Sequence, residues 1–467
     1  MKKTAAFAAM LAAATGAYGA INSHSYVQNG LVAQYDGIDN AGFGTHDPST
    51  NKWVNLKGDE DLDGTVASGV SWLADGWSVS ANCKPVTVGN KLSQTTGTGT
   101  FTIQFACKPE TGANSGRQCF FSQYDASNSF GIEHNGTGVL NSLRLYCAKL
   151  GTSVSSDADA MIVDRWASVS VTSSDTMKNI GFFTNGVSCG ARSFASTPVV
   201  NGNCASVIGG EPYNNSRDMA FRGTYNAFRL YDRVLTEDEI KINAAVDAVR
   251  FNGASWSDFP ELSTCSFDED GYLMQLKDVA VEQDPVSRQT KITYKIYGKP
   301  AYVTVDVLTN SVENSASIGL GNVTHLSGDV NKFVDRVGET CTIWWQADKS
   351  WPGHETSQLY VRVYGRTHHK ALYCATNGKN GDSFYYDDES QIPAGIAAVS
   401  TVEDPEDPDA AESSVAGNAT PIALDTRIGD RLAFASLDVL DTLIRDVEES
   451  EGRNLVTVSN GLMTIFN

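Results

Sequence analysis

The chain's 467 residues carry 55 acidic against 35 basic side chains, a formal net charge of −20. That balance argues against nucleic acid or an anionic membrane surface as partner. No apolar run is long enough for a membrane helix, so membrane insertion is excluded as well.

In chain order, "MKKTAAFAAMLAAATGAYGA" (1–20) has the make-up of a secretory signal peptide. Lys2 and Lys3 form the positive start, an Ala-rich apolar run follows, and Ala17-Tyr18-Gly19 offers small residues for cleavage. The expected mature chain is soluble and secreted, to a bacterial-type periplasm, cell surface or medium. Loss of Lys2 and Lys3 takes its net charge to −22. Export makes disulfides possible. The nine cysteines are an odd number, with Cys83, Cys107, Cys119, Cys147, Cys189 and Cys204 before residue 250 and Cys265, Cys341 and Cys374 after it. Within "FTIQFACKPETGANSGRQCFFSQY", two β-like runs flank a Gly-containing loop, and Cys107 and Cys119 stand about equally far from its middle. A disulfide between them is expected, the alternative being two buried thiols.

From about residue 27 to 234, short β-like runs alternate with Gly, Asn, Asp and Ser. "TNG" (184–186) signals a hairpin between two of them. Such strands with almost no helical periodicity predict a mainly β fold, a sandwich or jelly roll, over 21–250. The stretch "FRGTYNAFRLYDRVLTEDEIKIN" (221–243) closes it. Period-2 geometry places Phe228 and Leu230 on one face of a strand and Ala227, Arg229 and Tyr231 on the other. Thr236 then sits as an N-cap with Glu239 three residues on, a capping box, and Leu235 with Ile240 can form a hydrophobic staple. The acids there are expected to cap a helix rather than to catalyse.

Residues 251–264 are expected to be a linker, and 265–376, with runs such as "QTKITYKIYG" and "AYVTVDVLT", a second, smaller β-sandwich. Trp344, Trp345 and Trp351 are expected to pack it. The Pro-, Asp- and Glu-rich segment within 377–420 predicts an acidic, disordered linker. In 421–467, Leu437, Leu440, Ile444 and Val447 recur at helical spacing, and a hairpin is expected around Asn460-Gly461.

Several pieces together resemble the laminin-G-like, concanavalin-A-like jelly-roll superfamily, which includes the pentraxins. They are "GLVAQYDG" (30–37), "FTIQFACKP" (101–109), "RWASVSVT" (165–172), "FFTNGV" (182–187), "VIGG" (207–210) and "FRGTYNAFRLYDRVLTEDEI" (221–240). Ala106 stands where that family usually has Trp. The stretches "SGDVNKFV" (327–334) and "WWQADKSWPG" (344–353) are similar to a β-sandwich module that often precedes formylglycine-generating-enzyme-like domains. The jelly-roll resemblance implies a domain that binds calcium or glycans through loops at one end.

"GDEDLDGT" (58–65) sets Asp59, Asp61 and Asp63 at alternate positions before Gly64. That pattern suits one hard cation, calcium, or else is merely an acidic turn, since Val70 stands where an EF-hand needs its glutamate. Trp72, Trp77, Tyr124 and Tyr213 lie near predicted loops and could stack on sugar rings, core packing being the alternative. His134, His368 and His369 lack partners at metal-ligand spacing. No E-x-D-x-x-E, H-E-x-x-H or P-loop run occurs. The expectation is a secreted, non-catalytic binding protein for a polysaccharide or an extracellular protein. The alternatives are an adhesive protein without a small-ligand site and a glycoside-active enzyme.

Overall fold

A computed structural model describes residues 21–79, 83–110, 118–123, 130–135, 141–198, 202–211, 220–268, 270–284, 287–309, 316–352, 359–366 and 372–376. Beyond these it describes 383–386, 391–392, 397–402, 414–416, 420–421, 431–433, 456–459 and 462–465. The signal peptide, Tyr124, Tyr213, His368, His369 and the expected helix through Leu437 lie outside the described residues. The chain divides into two units, at Pro260.

Alternating apolar side chains build the first unit from short strands. The first six are β1 (Leu31–Asp36), β2 (Lys52–Trp53), β3 (Gly64–Val66), β4 (Val70–Leu73), β5 (Gly76–Val79) and β6 (Val86–Val88). After helix α1 (Lys91–Thr96) come β7 (Phe101–Pro109), β8 (Gln118–Gln123), β9 (Phe130–Asn135), β10 (Ser142–Cys147) and β11 (Thr152–Ser155). Then follow β12 (Ala167–Ser174), β13 (Asn179–Thr184), β14 (Val187–Ser193), β15 (Ser206–Ile208), β16 (Gly223–Tyr231) and helix α2 (Glu237–Phe251). One antiparallel sheet runs β14-β13-β12-β7-β16-β5-β4, with β1 also on β16. The other runs β11-β10-β9-β8-β15-β6-β3-β2. Their inner faces enclose one core that includes Phe101, Ile103, Phe105, Phe121, Ile132, Leu145 and Phe228. At the β13–β14 turn Asn185 and Gly186 both take positive φ, the geometry that a two-residue hairpin turn needs.

Helix α2 explains why the closing strand carries polar residues. Asn243 donates to Gln104 (2.7 Å) and to the Tyr231 hydroxyl (2.9 Å). Asp247 accepts from Arg229 (2.6 Å), Tyr26 (2.9 Å) and Ser168 (2.6 Å). Arg229 and Asp247 are fully buried, and the Tyr26 ring lies 3.8 Å from the Arg229 guanidinium. The outer faces of β7 and β16 are thus a buried polar layer under a helix, in which Nε and Nη1 of Arg229 have no hydrogen-bond partner among the described residues. Both arms of the Thr236–Glu239 capping box form, and Leu235 and Ile240 are buried. Ala106 packs with Ala227 and Phe251, and the half-buried Trp166 lies against them, so other rings occupy the region of the missing tryptophan.

The expected Cys107–Cys119 disulfide is not formed; both thiols are free. Residues 101–123 are a crossover and not a hairpin: β7 and β8 belong to opposite sheets. Cys107 packs into the inter-sheet core, while Cys119 Sγ lies 3.4 Å from the Phe121 carbonyl.

The second unit contains a sheet of β17 (Cys265–Phe267), β18 (Leu273–Gln283), β19 (Gln289–Gly298), β23 (Cys341–Gln346) and β21 (Leu326–Gly328). A second sheet joins β20 (Ala301–Leu308), β22 (Lys332–Val334) and β24 (Tyr360–Arg366). Trp345 is buried in its core and Trp351 packs against it, while Trp344 faces outward 5.7 Å from Lys291 Nζ. The stretch expected as a linker, 251–264, holds the end of α2 and two short 3-10 turns. The expected disordered segment 377–420 contributes strands: Ser414–Ala416 and Thr420–Pro421 both pair with β24. Val456–Ser459 and Leu462–Ile465 pair antiparallel on either side of Asn460-Gly461.

Candidate functional site

Of the residues singled out as sugar platforms, Trp77 is fully buried and is withdrawn. Its ring stacks on Tyr225 (4.9 Å, 1°) and meets Trp53 edge-on at 6.1 Å. Gly209 is required there, since a Cβ at that position would come within 2.4 Å of the indole. Trp72, on edge strand β4, is half-buried, donates its N–H to the Thr50 carbonyl (2.9 Å) and sits edge-on to Trp53 (5.8 Å). It closes an edge of the core rather than standing free.

The three aspartates of the acidic turn do not converge on a vacant point. Lys91 Nζ lies 3.1 Å from Asp59 and 2.6 Å from Asp61, and holds the Asp61 carboxyl below its ordinary range. Asp63 turns away to Lys52 (3.3 Å) and accepts from the Asn55 N–H (2.9 Å). Among the described residues no group of three or more His, Cys, Asp or Glu is arranged to hold a metal. His134 is buried, with Nε2 3.0 Å from the Met161 carbonyl.

The arrangement with ligand-binding chemistry lies on the outer face of β9, β10 and β11. Period-2 alternation sends Phe130, Ile132, Leu143, Leu145 and Cys147 into the core. It leaves Gly131, Glu133, Arg144, Tyr146, Ser153 and Ser155 on the other face. Register places Glu133, Arg144 and Ser155 in one row and Gly131, Tyr146 and Ser153 in the next. Arg144 Nη1 is 3.6 Å from Glu133 Oε2, an ion pair beyond hydrogen-bond range. The guanidinium also lies 5.0 Å from the centre of the Tyr146 ring, within cation–π range. The Arg144 side chain is 18% exposed and that of Glu133 7%, while Nε of Arg144 is buried with no partner among the described residues. A partly exposed donor, an aromatic ring and two serine hydroxyls are therefore gathered on one sheet face, with the buried Glu133 carboxylate beside the donor.

Cys119 stands opposite Glu133 across the β8–β9 pairing. Burial, then the Glu133 and Glu211 carboxylates, push its thiol well up, so it stays protonated and is no nucleophile. Sequence inspection passed over Glu133, Arg144 and Tyr146, although the alternation in "FGIEHN" and "SLRLYC" was the signal that could have found them.

Residues 80–241 match a family model described as the concanavalin A-like lectin/glucanases superfamily, of laminin-G type. This stretch, from β6 to the start of α2, is a laminin-G-like jelly roll of that superfamily. No curated protein matches the chain. Among solved structures, domain 4 of an extracellular GH43 arabinanase from Geobacillus stearothermophilus, with arabinotriose, is 14% identical. That likeness covers 46% of this chain and 98% of that one at a TM-score of 0.35. The CBM40 of a Ruminococcus gnavus IT-sialidase, bound to α2,3-sialyllactose, is 15% identical, covering 36% and 96% at a TM-score of 0.29. A Trypanosoma rangeli sialidase with sialic acid is 12% identical, covering 48% of this chain but 34% of its own length, at a TM-score of 0.35. At such TM-scores these likenesses say nothing of what this chain binds. Among the described residues no helix is long and apolar enough to cross a membrane.

Proposed function

We propose that this is a secreted, non-catalytic glycan-binding protein that takes a polysaccharide on the outer face of β9, β10 and β11. The observation that carries the reading is Arg144 held between Glu133 and the Tyr146 ring. A sugar offers hydroxyls that both donate and accept, and an apolar ring face. The Arg–carboxylate pair meets the hydroxyls, and the half-exposed tyrosine meets the ring. Calcium takes no part, because Lys91 already supplies the cation between Asp59 and Asp61.

The test is titration of the full chain with arabino-, xylo-, cello-, malto-, manno- and chitohexaose and sialyllactose, in calcium and with chelator. At least one binds, equally in both conditions. Tyr146→Ala or Arg144→Ala weakens it by about tenfold or more, the scale of losing one well-placed contact of about 1.4 kcal/mol. Failure of all seven sugars, with capture of an extracellular protein instead, would favour the adhesive alternative.

One observation favours glycoside hydrolysis as the second reading: the Glu133 and Glu211 carboxylates both lie near enough to the buried Cys119 to push its thiol up. Release of reducing ends from a polysaccharide, abolished by Glu133→Gln, would establish it.

A further inference from the structure

We infer that the jelly roll carries a second glycan site on the opposite sheet, which makes one chain bivalent for polysaccharide. The inference rests on the glycan reading above. On the outer face of β12, β13 and β14 lies a shallow, open groove of about 560 Å³, a size within the usual range of ligand sites.

Its floor follows from register: Thr172 pairs with Gly181, and Gly181 with Ala191. A Cβ on Gly181 would come within 2.5 Å of Thr172 Oγ1 and 3.2 Å of the Phe183 ring. Glycine there lets the Thr172 hydroxyl and the Phe183 ring pack closely over the strand. Ser174 adds another hydroxyl to the lining. Arg192, with a side chain 40% exposed, forms the rim, and Asp157 holds its Nη2 at 2.5 Å. The hydroxyls of Thr172, Ser174 and Ser193, the Asn179 amide and the Arg192 guanidinium offer hydrogen-bonding partners to a sugar chain, while the buried Phe183 ring lies in the floor. Among the described residues the lining holds hydroxyl, amide and guanidinium groups and no carboxylate, a set suited to holding a sugar chain.

The two sites lie on opposite outer faces of one sandwich, so one sugar chain segment does not fill both. A protein built this way holds two polysaccharide strands, or two stretches of one strand, and gains avidity on a polymer that it lacks on a short oligosaccharide.

The experiment is calorimetric titration of the full chain with the six neutral hexasaccharides named above, followed by binding to the matching polysaccharide. The expected stoichiometry is two per chain. Arg192→Ala, or Ser174→Trp as a plug, brings it to one and lowers apparent affinity for the polymer tenfold or more. Tyr146→Ala likewise leaves one site. A stoichiometry of one, abolished by Tyr146→Ala and untouched by both groove variants, overturns the second site while the first stands. If neither these six nor sialyllactose binds, both fall.

Discussion

Burial decides what an aromatic residue can do in this domain. Trp77 lies in a ring cluster with Trp53, Phe221 and Tyr225, so Trp77→Ala is expected to cost about 3–5 kcal/mol of stability. Thermal or denaturant unfolding measures it. Tyr146 is half-exposed on a sheet face, and Tyr146→Ala is expected to weaken sugar binding while moving the unfolding midpoint little. Both are aromatic residues on short strands, and only burial separates them. Trp77 is expected near a predicted loop, but β5 pairs with β4 and β16 and its indole is fully buried. Tyr146 was legible in principle, through the strict alternation of Arg144 and Tyr146 with Leu143, Leu145 and Cys147. The acidic turn makes the same point. Alternate aspartates are visible in sequence, but the lysine that answers two of them comes from position 91, across the fold. Added calcium is therefore expected to leave the unfolding midpoint where chelator leaves it.

Local devices at the scale of single elements were the most legible. The capping box of α2 lies within four consecutive residues and forms as the spacing predicts. Burial opposes charge on Glu239, yet the fork from Arg233 and the Thr236 N–H and hydroxyl outweigh it and hold the carboxyl below its usual 4.5. A carboxyl depressed in the folded state contributes stability that is complete above the unfolded value and is lost as pH falls through the folded one. Wild-type stability should therefore drop below about pH 4.5, and Glu239→Gln should lower stability at neutral pH and flatten that part of the profile. A pH series of unfolding curves decides it. Beneath the same helix, Arg229→Met should cost about 3–5 kcal/mol, because it leaves the fully buried Asp247 carboxylate without its counter-charge. That pair was not legible: Arg229 could be placed on the outward face of its strand, but the helix that buries it comes later in the chain. The disulfide failed for a related reason, since a hairpin and a sheet-to-sheet crossover share the same local sequence signals.

The whole molecule is strongly acidic, and its composition concealed one boundary. The segment within 377–420 looked too polar and Pro-rich to fold, yet Ser414–Ala416 and Thr420–Pro421 hydrogen-bond to β24. Backbone pairing needs no apolar side chain, so composition could not reveal it. Truncation after residue 376 is expected to destabilise the second unit, seen as faster proteolysis of 265–376 than in the full chain. In the first unit the succession of strands and the closing helix could be read from sequence because each is marked by alternation or capping. The proposed glycan face could not, because three strands set its outward residues side by side only in the fold.

The central claim is that the outer face of β9, β10 and β11 holds the sugar. Amide hydrogen exchange on the full chain, with and without a saturating hexasaccharide from the panel, tests it most directly. Protection is predicted to rise in 130–135 and 142–155, and to disappear from there in the Tyr146→Ala variant. Protection gained only at the 58–65 turn, or nowhere on that face, would contradict the assignment.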